Sequence, residues 1–285
     1  MDDMIYWIWL SILDLRPIEK IKLLEIFKTP INIYNLKLKE LKQLTNYKEL
    51  VEILSNNLKI IEAKEIYKYC LENNIKLIKS TDTRYPKKLK MIYDYPILIY
   101  GIGDITLLNS TYIASIVGTR KCSKYGKYIT DRFSYLLAQK GYTIVSGMAK
   151  GIDTCAHMGA LKATGKTIAV LGSGIDYIYP IENKKLYLDI VNYNGLIISE
   201  YPPKMRPVPY YFPMRNRIIS GISDKVLVTE AGLKSGSIIT ANFALEQGKN
   251  VYAIPGNITN INSVGTNELL KDGAILVTSI DDIIN

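Results

Sequence analysis

Hydrophobic positions change their period partway along the chain. Up to about residue 79 they recur at helical spacing. Ile18, Ile21, Leu24 and Ile26-Phe27 form one set, Leu50, Ile53, Leu54 and Leu58 a second, and Ile61, Ile66 and Tyr69 a third. Pro17 suits a first helical turn, Thr29-Pro30 ends one helix, and Asn56-Asn57 and Asn73-Asn74 punctuate others. These signals predict a small all-helical domain over 1–79, a packing or docking module without catalytic pattern. Residues 80–110 read as a bridge. Pro86 and Pro96 force extended or turn geometry before them, and a strand near 97–100 closes at Gly101 and Gly103. That strand extends the main sheet or starts a separate one.

From Tyr112 the period alternates. Short apolar, β-branched runs fall at 112–117, 142–146, 167–171, 196–199, 225–229, 250–254 and 274–277. Helical stretches fit between them at 123–140, 153–164, 182–194, 213–221 and 237–247. Strands that are apolar throughout need cover on both faces. The pattern therefore predicts an α/β fold over 80–285, a mostly parallel Rossmann-like sheet with helices on both faces.

Strand ends in this domain run repeatedly into glycines or small hydroxyls: Gly118-Thr119, Ser146-Gly147, Gly172-Ser173-Gly174, Ala231-Gly232 and Pro255-Gly256. In a parallel sheet these ends share one edge, where such folds bind ligands. Helix N-termini and glycine backbones at that edge suit an anion. Arg120 adds a planar fork of donors for phosphate. Thr229 to Thr240, with Lys234, Ser235, Gly236 and Ser237, reads as a second strand–loop–helix cradle. Phe212-Pro213-Met214-Arg215-Asn216-Arg217 sets two arginines beside an aromatic ring that could stack on an unpaired base.

Composition narrows the ligand. The net charge of +9 suits a polyanionic partner. Position 177 is tyrosine, so Gly172-Ser173-Gly174 is no dinucleotide fingerprint. The Lys234 loop lacks the Walker order, and no acidic pair supplies magnesium. Three scattered cysteines and one histidine make a metal site or disulfide scaffold implausible and fit a reducing compartment. The Ile5–Leu10 run is too short to span a membrane. No cofactor, no metal and no membrane are expected, with the cytoplasm as location.

Catalytic candidates have duller readings beside them. Asp153 reads as a helix N-cap, and His157, one turn on, as a packed histidine that this carboxylate could orient. Cys155 and His157 point apart on one helix and make no nucleophile–base pair. Glu230 could act as acid or base, but is read rather as a salt-bridge partner orienting Arg215 or Arg217.

Taken together, these segments resemble the DNA-processing protein A family (DprA/Smf). The match runs through Val117-Gly118-Thr119-Arg120 with Ser123 and Gly126, Ser146 to Asp153 with Ala156-His157, and Ala169 to Asp176 with Tyr179-Pro180. It continues through Ser199-Glu200-Tyr201-Pro202, Phe212 to Gly221, Glu230-Ala231 with Lys234 to Ser237, Val251 to Gly256, and Gly265-Thr266-Asn267. The resemblance implies an extended Rossmann-like domain, preceded by a sterile-alpha-motif-like module. It implies sequence-independent binding of single-stranded DNA and loading of RecA recombinase in natural transformation, without turnover. It also implies a homodimer formed through about 238–276. Carried onto this sequence, the DNA-binding set is Gly118, Thr119, Arg120, Ser123, Gly147, Lys150, Gly172, Gly174, Phe212, Arg215, Asn216, Arg217, Lys234, Ser235, Gly236 and Ser237. Lys150 stands where the family has arginine, which keeps the charge but loses the bidentate fork. Leu13-Asp14-Leu15-Arg16-Pro17 replaces a glycine-bearing hairpin. Many members add a winged-helix domain; none is expected before Asn285. The rival reading is an enzyme that cleaves nucleoside monophosphates at the glycosidic bond. Its loop survives only as fragments, Pro255-Gly256 and Gly265-Thr266-Asn267-Glu268.

Overall fold

The structure is a computed structural model that describes residues 2–36, 53–54, 58–163 and 165–284. The short apolar runs form strands β3 (Ile113–Val117), β4 (Thr143–Ser146), β5 (Thr167–Val170), β6 (Leu196–Ser199), β7 (Lys225–Val228), β8 (Asn250–Ala253) and β9 (Ile275–Leu276). They pair in parallel in the order β6-β5-β4-β3-β7-β8-β9. Two more strands, β1 (Lys76–Lys79) and β2 (Leu98–Gly103), add antiparallel beyond β6. The bridge strand thus extends the main sheet. β1 lies inside the segment read from the sequence as wholly helical. It is an edge strand with one buried position, Ile78, and offers no alternation to read.

Chain order reverses at β3. Strands β4, β5 and β6 step away on one side, and β7 returns on the other. This is the switch point of a doubly wound sheet, and the loops after β3 and β7 diverge there to leave a crevice.

Alternate strand residues feed two layers. On one face Ala114, Ile116, Ile144 and Leu227 pack against Phe133, Leu137, Ile152 and Ala156 of helices Lys124–Gln139 and Ile152–Ala163. On the other face Val117, Val145, Val170 and Val226 meet Ile218, Ile219 and Ile222 of helix Tyr211–Ile222 and Ala241 of helix Gly236–Glu246. Burying each of those isoleucines contributes about 1.5–3 kcal/mol, which fixes the helix that carries the arginine-rich segment.

The N-terminal helices are Asp3–Ile12, Pro17–Phe27, Pro30–Tyr34 and Leu58–Glu72. The Ile5–Leu10 run is buried among them and against Tyr100 of β2. Tyr69 donates to Asp176 at 2.9 Å and Lys79 to Asp3 at 2.7 Å, tying this part to the sheet. Leu50, Asn56-Asn57 and Thr164, used above to read helices, lie outside the described residues. Helix Val264–Lys271 has no counterpart in the reading above. Among the described residues no helix is long and apolar enough to cross a membrane.

Candidate nucleic-acid interface

The crevice at the switch point measures about 670 Å³. Three segments wall it: Val117–Lys121 after β3, Phe212 to Asn216 at the start of helix Tyr211–Ile222, and Lys234–Ser237 at the start of helix Gly236–Glu246. Of the sixteen residues expected to bind DNA, it gathers Gly118, Thr119, Arg120, Phe212, Arg215, Asn216, Lys234, Ser235, Gly236 and Ser237.

Backbone stitching holds these loops in register. Thr119 donates its N–H to the Glu230 carbonyl at 2.7 Å, and Ile152 donates to the Thr119 carbonyl at 3.2 Å. Ser123 caps helix Lys124–Gln139, its Oγ accepting from the Gly126 N–H at 3.0 Å, while its own N–H donates to Glu230 Oε2 at 2.8 Å. Glu230 therefore braces the β3 loop; the salt bridge to Arg215 or Arg217 expected from the sequence does not form, because the fold turns the carboxylate to the Ser123 N–H. A Cβ at Gly126 would come within 2.2 Å of Glu230 Oε2, so any side chain there displaces the carboxylate from the Ser123 N–H. Ser123 contributes from behind the loop and does not line the crevice.

Arg120 is exposed on the crevice wall after β3. Its guanidinium carbon lies 5.5 Å from the centroid of the Phe212 ring, which packs at a 38° tilt against Tyr179, centroids 5.4 Å apart. Lys121 lines the same wall, and Lys234 stands exposed on the opposite one. Gly236 has open space around its α-carbon, so the helix N-terminus behind it faces the crevice unobstructed. Asn216 Nδ2 donates to the Gly236 carbonyl at 3.1 Å and Asn216 Oδ1 accepts from Arg215 Nε at 3.2 Å.

Arg215 forms the floor. Its Nη1 donates to the Gly147 carbonyl at 2.7 Å and to the Val170 carbonyl, at the ends of β4 and β5. Burial draws its guanidinium down to about 10, partly offset by Asp153. Asp153 sits in the first turn of its helix rather than at the cap. Its Oδ2 accepts from the N–H groups of Gly147 at 3.1 Å and Ala149 at 3.3 Å. Burial raises its pKa, with Arg215 and those N–H groups opposing. It is the lone acidic residue lining the crevice.

Arg217 departs from the expectation. The helix turns it to the opposite side, where it is fully buried. Its two Nη atoms donate to Glu200 at 3.0 and 2.7 Å, and its Nε donates to Asp94 at 3.0 Å. Burial alone would lower its pKa, but the two carboxylates outweigh it and hold the guanidinium above its ordinary value. A residue so enclosed is a brace for the helix, not a phosphate contact.

Gly147, Gly172 and Gly174 also differ from expectation. Their missing side chains admit protein, not ligand. A Cβ at Gly147 would meet Arg215 Nη2 and Asp153 Oδ2 at 2.7 Å. One at Gly172 would meet the Phe212 ring at 2.9 Å, and one at Gly174 the Met205 and Pro202 backbone at 2.6 Å. Lys150 lines a neighbouring groove of about 720 Å³ and pairs with Glu182 at 2.6 Å. Tyr179 lies between groove and crevice and belongs to both. Lys121, Tyr179 and Asn262, whose Nδ2 donates to the Lys121 carbonyl at 2.8 Å, were not in the expected set. Only the Tyr179-Pro180 pair after the Gly172 loop gave a signal for one of them.

His157 is fully buried, its Nδ1 2.7 Å from Thr167 Oγ1. Thr167 donates that hydroxyl proton to the Ile144 carbonyl at 2.8 Å, so Nδ1 carries a hydrogen. Burial, then Arg215, lowers its pKa to about 3. Glu268, the carboxylate of the rival enzymatic reading, is exposed, pairs with Lys271 at 3.0 Å and does not line the crevice. Among the described residues no cluster of histidine, cysteine or carboxylate could hold a metal ion.

Residues 76–285 match the DNA recombination-mediator protein A family. The chain is 42% identical over 212 residues to the DNA processing protein DprA of Bacillus subtilis, which covers 74% of this chain and 71% of that one. Against DprA of Streptococcus pneumoniae it is 46% identical over 203 residues, 71% of each chain. The X-ray structure of the Streptococcus pneumoniae protein superposes on all of this chain and 97% of its own, with a TM-score of 0.80 and 36% identity. A Helicobacter pylori DNA processing protein A, described for its single-stranded DNA binding mode, matches 74% of this chain and 94% of its own at a TM-score of 0.67 and 35% identity. With the doubly wound sheet, the crevice at its switch point and a family match over most of its length, this chain belongs to the DNA recombination-mediator protein A family, DprA/Smf.

Proposed function

We propose that this protein binds single-stranded DNA without reading sequence, holding the strand in the switch-point crevice. The arrangement of Arg120 over Phe212, with Lys121 beside it and Lys234 across, carries the reading. Cations at the rim neutralise phosphates, while the Phe212 and Tyr179 rings offer stacking faces to any base. The Gly236 N–H and the hydroxyls of Ser235 and Ser237 face one phosphate at the start of their helix. On the facing wall Thr119 adds its hydroxyl beside Gly118, and Arg215 and Asn216 hold the floor in place. The described binding of single-stranded DNA by the Helicobacter pylori relative supports it.

In this reading the bound strand is handed to RecA during natural transformation or recombination in the cytoplasm, by a homodimer formed through 238–276. Exposed Leu245, Ile258, Ile261 and Leu276 in that part supply apolar surface for a second copy. No turnover is involved.

The test is a titration of labelled oligothymidine and duplex DNA across salt concentrations, on the wild-type protein and on Arg120→Ala with Lys234→Ala. The expected result is weaker single-strand binding with a shallower salt slope, about 0.7 less per lost phosphate contact. Unchanged affinity and slope would sink the assignment of the crevice. Free base released from nucleoside monophosphates would point instead to the hydrolase reading. RecA delivery is read separately, as faster RecA filament growth on a protein-coated strand.

A further inference from the structure

Helix Lys124–Gln139 starts at the crevice and runs back along the sheet toward β4. Its inner face is buried through Gly126, Thr130, Phe133, Ser134 and Leu137. The opposite face carries Lys124, Tyr125, Tyr128 and Arg132, spaced to share one side of a helix. Tyr125 is 52% exposed and Tyr128 60%, unusual for rings on a helix that already has a well-filled inner face. Arg132 Nη1 donates to the Tyr128 hydroxyl at 3.2 Å, which sets guanidinium and ring side by side.

The charge on this face is one-sided. Asp131 is the sole acid of the helix, and Lys162 of the next helix neutralises it at 2.6 Å. Among the described residues, no carboxylate is paired with Lys121, Lys124 or Arg132. Lys121 lines the crevice and immediately precedes the helix, so the cations continue from one site into the other. Unpaired cations interleaved with exposed aromatic rings form a chemistry that phosphates and unstacked bases satisfy together.

We propose that this face is a second binding segment for the same strand: single-stranded DNA leaving the crevice passes Lys121 and lies along the helix. Bases rest on Tyr125 and Tyr128, and Lys124 and Arg132 take the phosphates. From Tyr125 to Arg132 the helix rises about 10 Å, so the segment serves oligonucleotides longer than the crevice alone can hold. The inference rests on the reading of the crevice as a single-strand site, and it adds a direction in which the strand travels.

The test compares an oligothymidine of about 5 nucleotides with one of about 16, near the two ends of the range of single-strand site sizes. Three variants are titrated across salt: Tyr125→Ala with Tyr128→Ala, Lys124→Gln with Arg132→Gln, and Arg120→Ala. The tyrosine pair is expected to weaken the long strand roughly tenfold or more with its salt slope unchanged, and to leave the short one alone. The cation pair is expected to weaken the long strand and reduce its slope by about 1.4. Arg120→Ala weakens both lengths. If both helix variants bind the long strand like wild type while Arg120→Ala weakens both lengths, the helix face is not a DNA segment and the crevice reading stands. If all three bind both lengths like wild type, both readings fall; an acidic protein partner for this face gives the former pattern.

Discussion

The Arg120 guanidinium and the Phe212 ring lie 5.5 Å apart, cation over aromatic face, at the mouth of the crevice. The pair makes one surface that attracts phosphate on one side and accepts a base on the other. Phe212→Ala is expected to weaken single-strand binding by about 1–3 kcal/mol without changing the salt slope. Arg120→Ala should weaken it and lower the slope by about 0.7. A double-mutant cycle by fluorescence anisotropy should return a coupling of about 0.5–1 kcal/mol, and full additivity would show that the two act apart.

Gly172→Ala tests how that ring is held. The new methyl would come within 2.9 Å of the Phe212 ring and must push it aside. We expect single-strand affinity to fall by about the amount lost in Phe212→Ala, with the unfolding midpoint little changed. An affinity equal to wild type would mean that the ring's position is not set from behind.

Arg217 gives a contrasting prediction. It is fully buried against the half-buried carboxylates of Glu200 and Asp94, so Arg217→Ala leaves both without their partner. Urea unfolding should show a loss of about 3–5 kcal/mol, the size expected when one partner of a buried ion pair is removed. Variant that remains folded should bind DNA with the wild-type salt slope. A lowered slope with unchanged stability would place Arg217 back among the phosphate contacts.

His157 predicts an acid sensitivity. Its pKa falls from 6.5 unfolded to about 3 folded, so between these values the unfolded chain binds the extra proton. Stability is fully present above about pH 6.5 and declines as pH falls toward 3, by at most about 1.4 kcal/mol per unit. Asp153, with its raised pKa, works in the opposite direction over the lower part of that window. His157→Gln should therefore flatten the dependence of the unfolding free energy between pH 6.5 and 5. An identical pH profile for variant and wild type would remove His157 from the account.

The parallel strands were legible because burial on both faces leaves unbroken β-branched runs. β1 was not: Lys76-Leu77-Ile78-Lys79 buries one side chain and pairs at an edge. The loops after β3 and β7 were legible as cradles from their glycines and hydroxyls. What those glycines face was not, since the atoms that crowd Gly147 and Gly172 come from residues 40 or more positions away in sequence for Phe212 and Arg215. Arg215 and Arg217 look equivalent in the sequence, two residues apart on one helix. Their roles separate only through Asp94, 123 residues distant, and Glu200, which the fold brings to one side of that helix.

Arg215 has a consequence for which changes the crevice tolerates. The ends of parallel strands present carbonyl oxygens, and those of Gly147 and Val170 would turn their negative ends toward an incoming phosphate. Arg215 engages both. The rim cations then act on an edge already cleared of opposing dipoles. Lys121 and Lys234 can each be exchanged for arginine with the attraction largely kept. Position 215 cannot, because a lysine has a single nitrogen and cannot engage the two strand ends and Asn216 at once, as Nη1 and Nε of Arg215 do. The least accessible cation of the crevice is thus the least replaceable one.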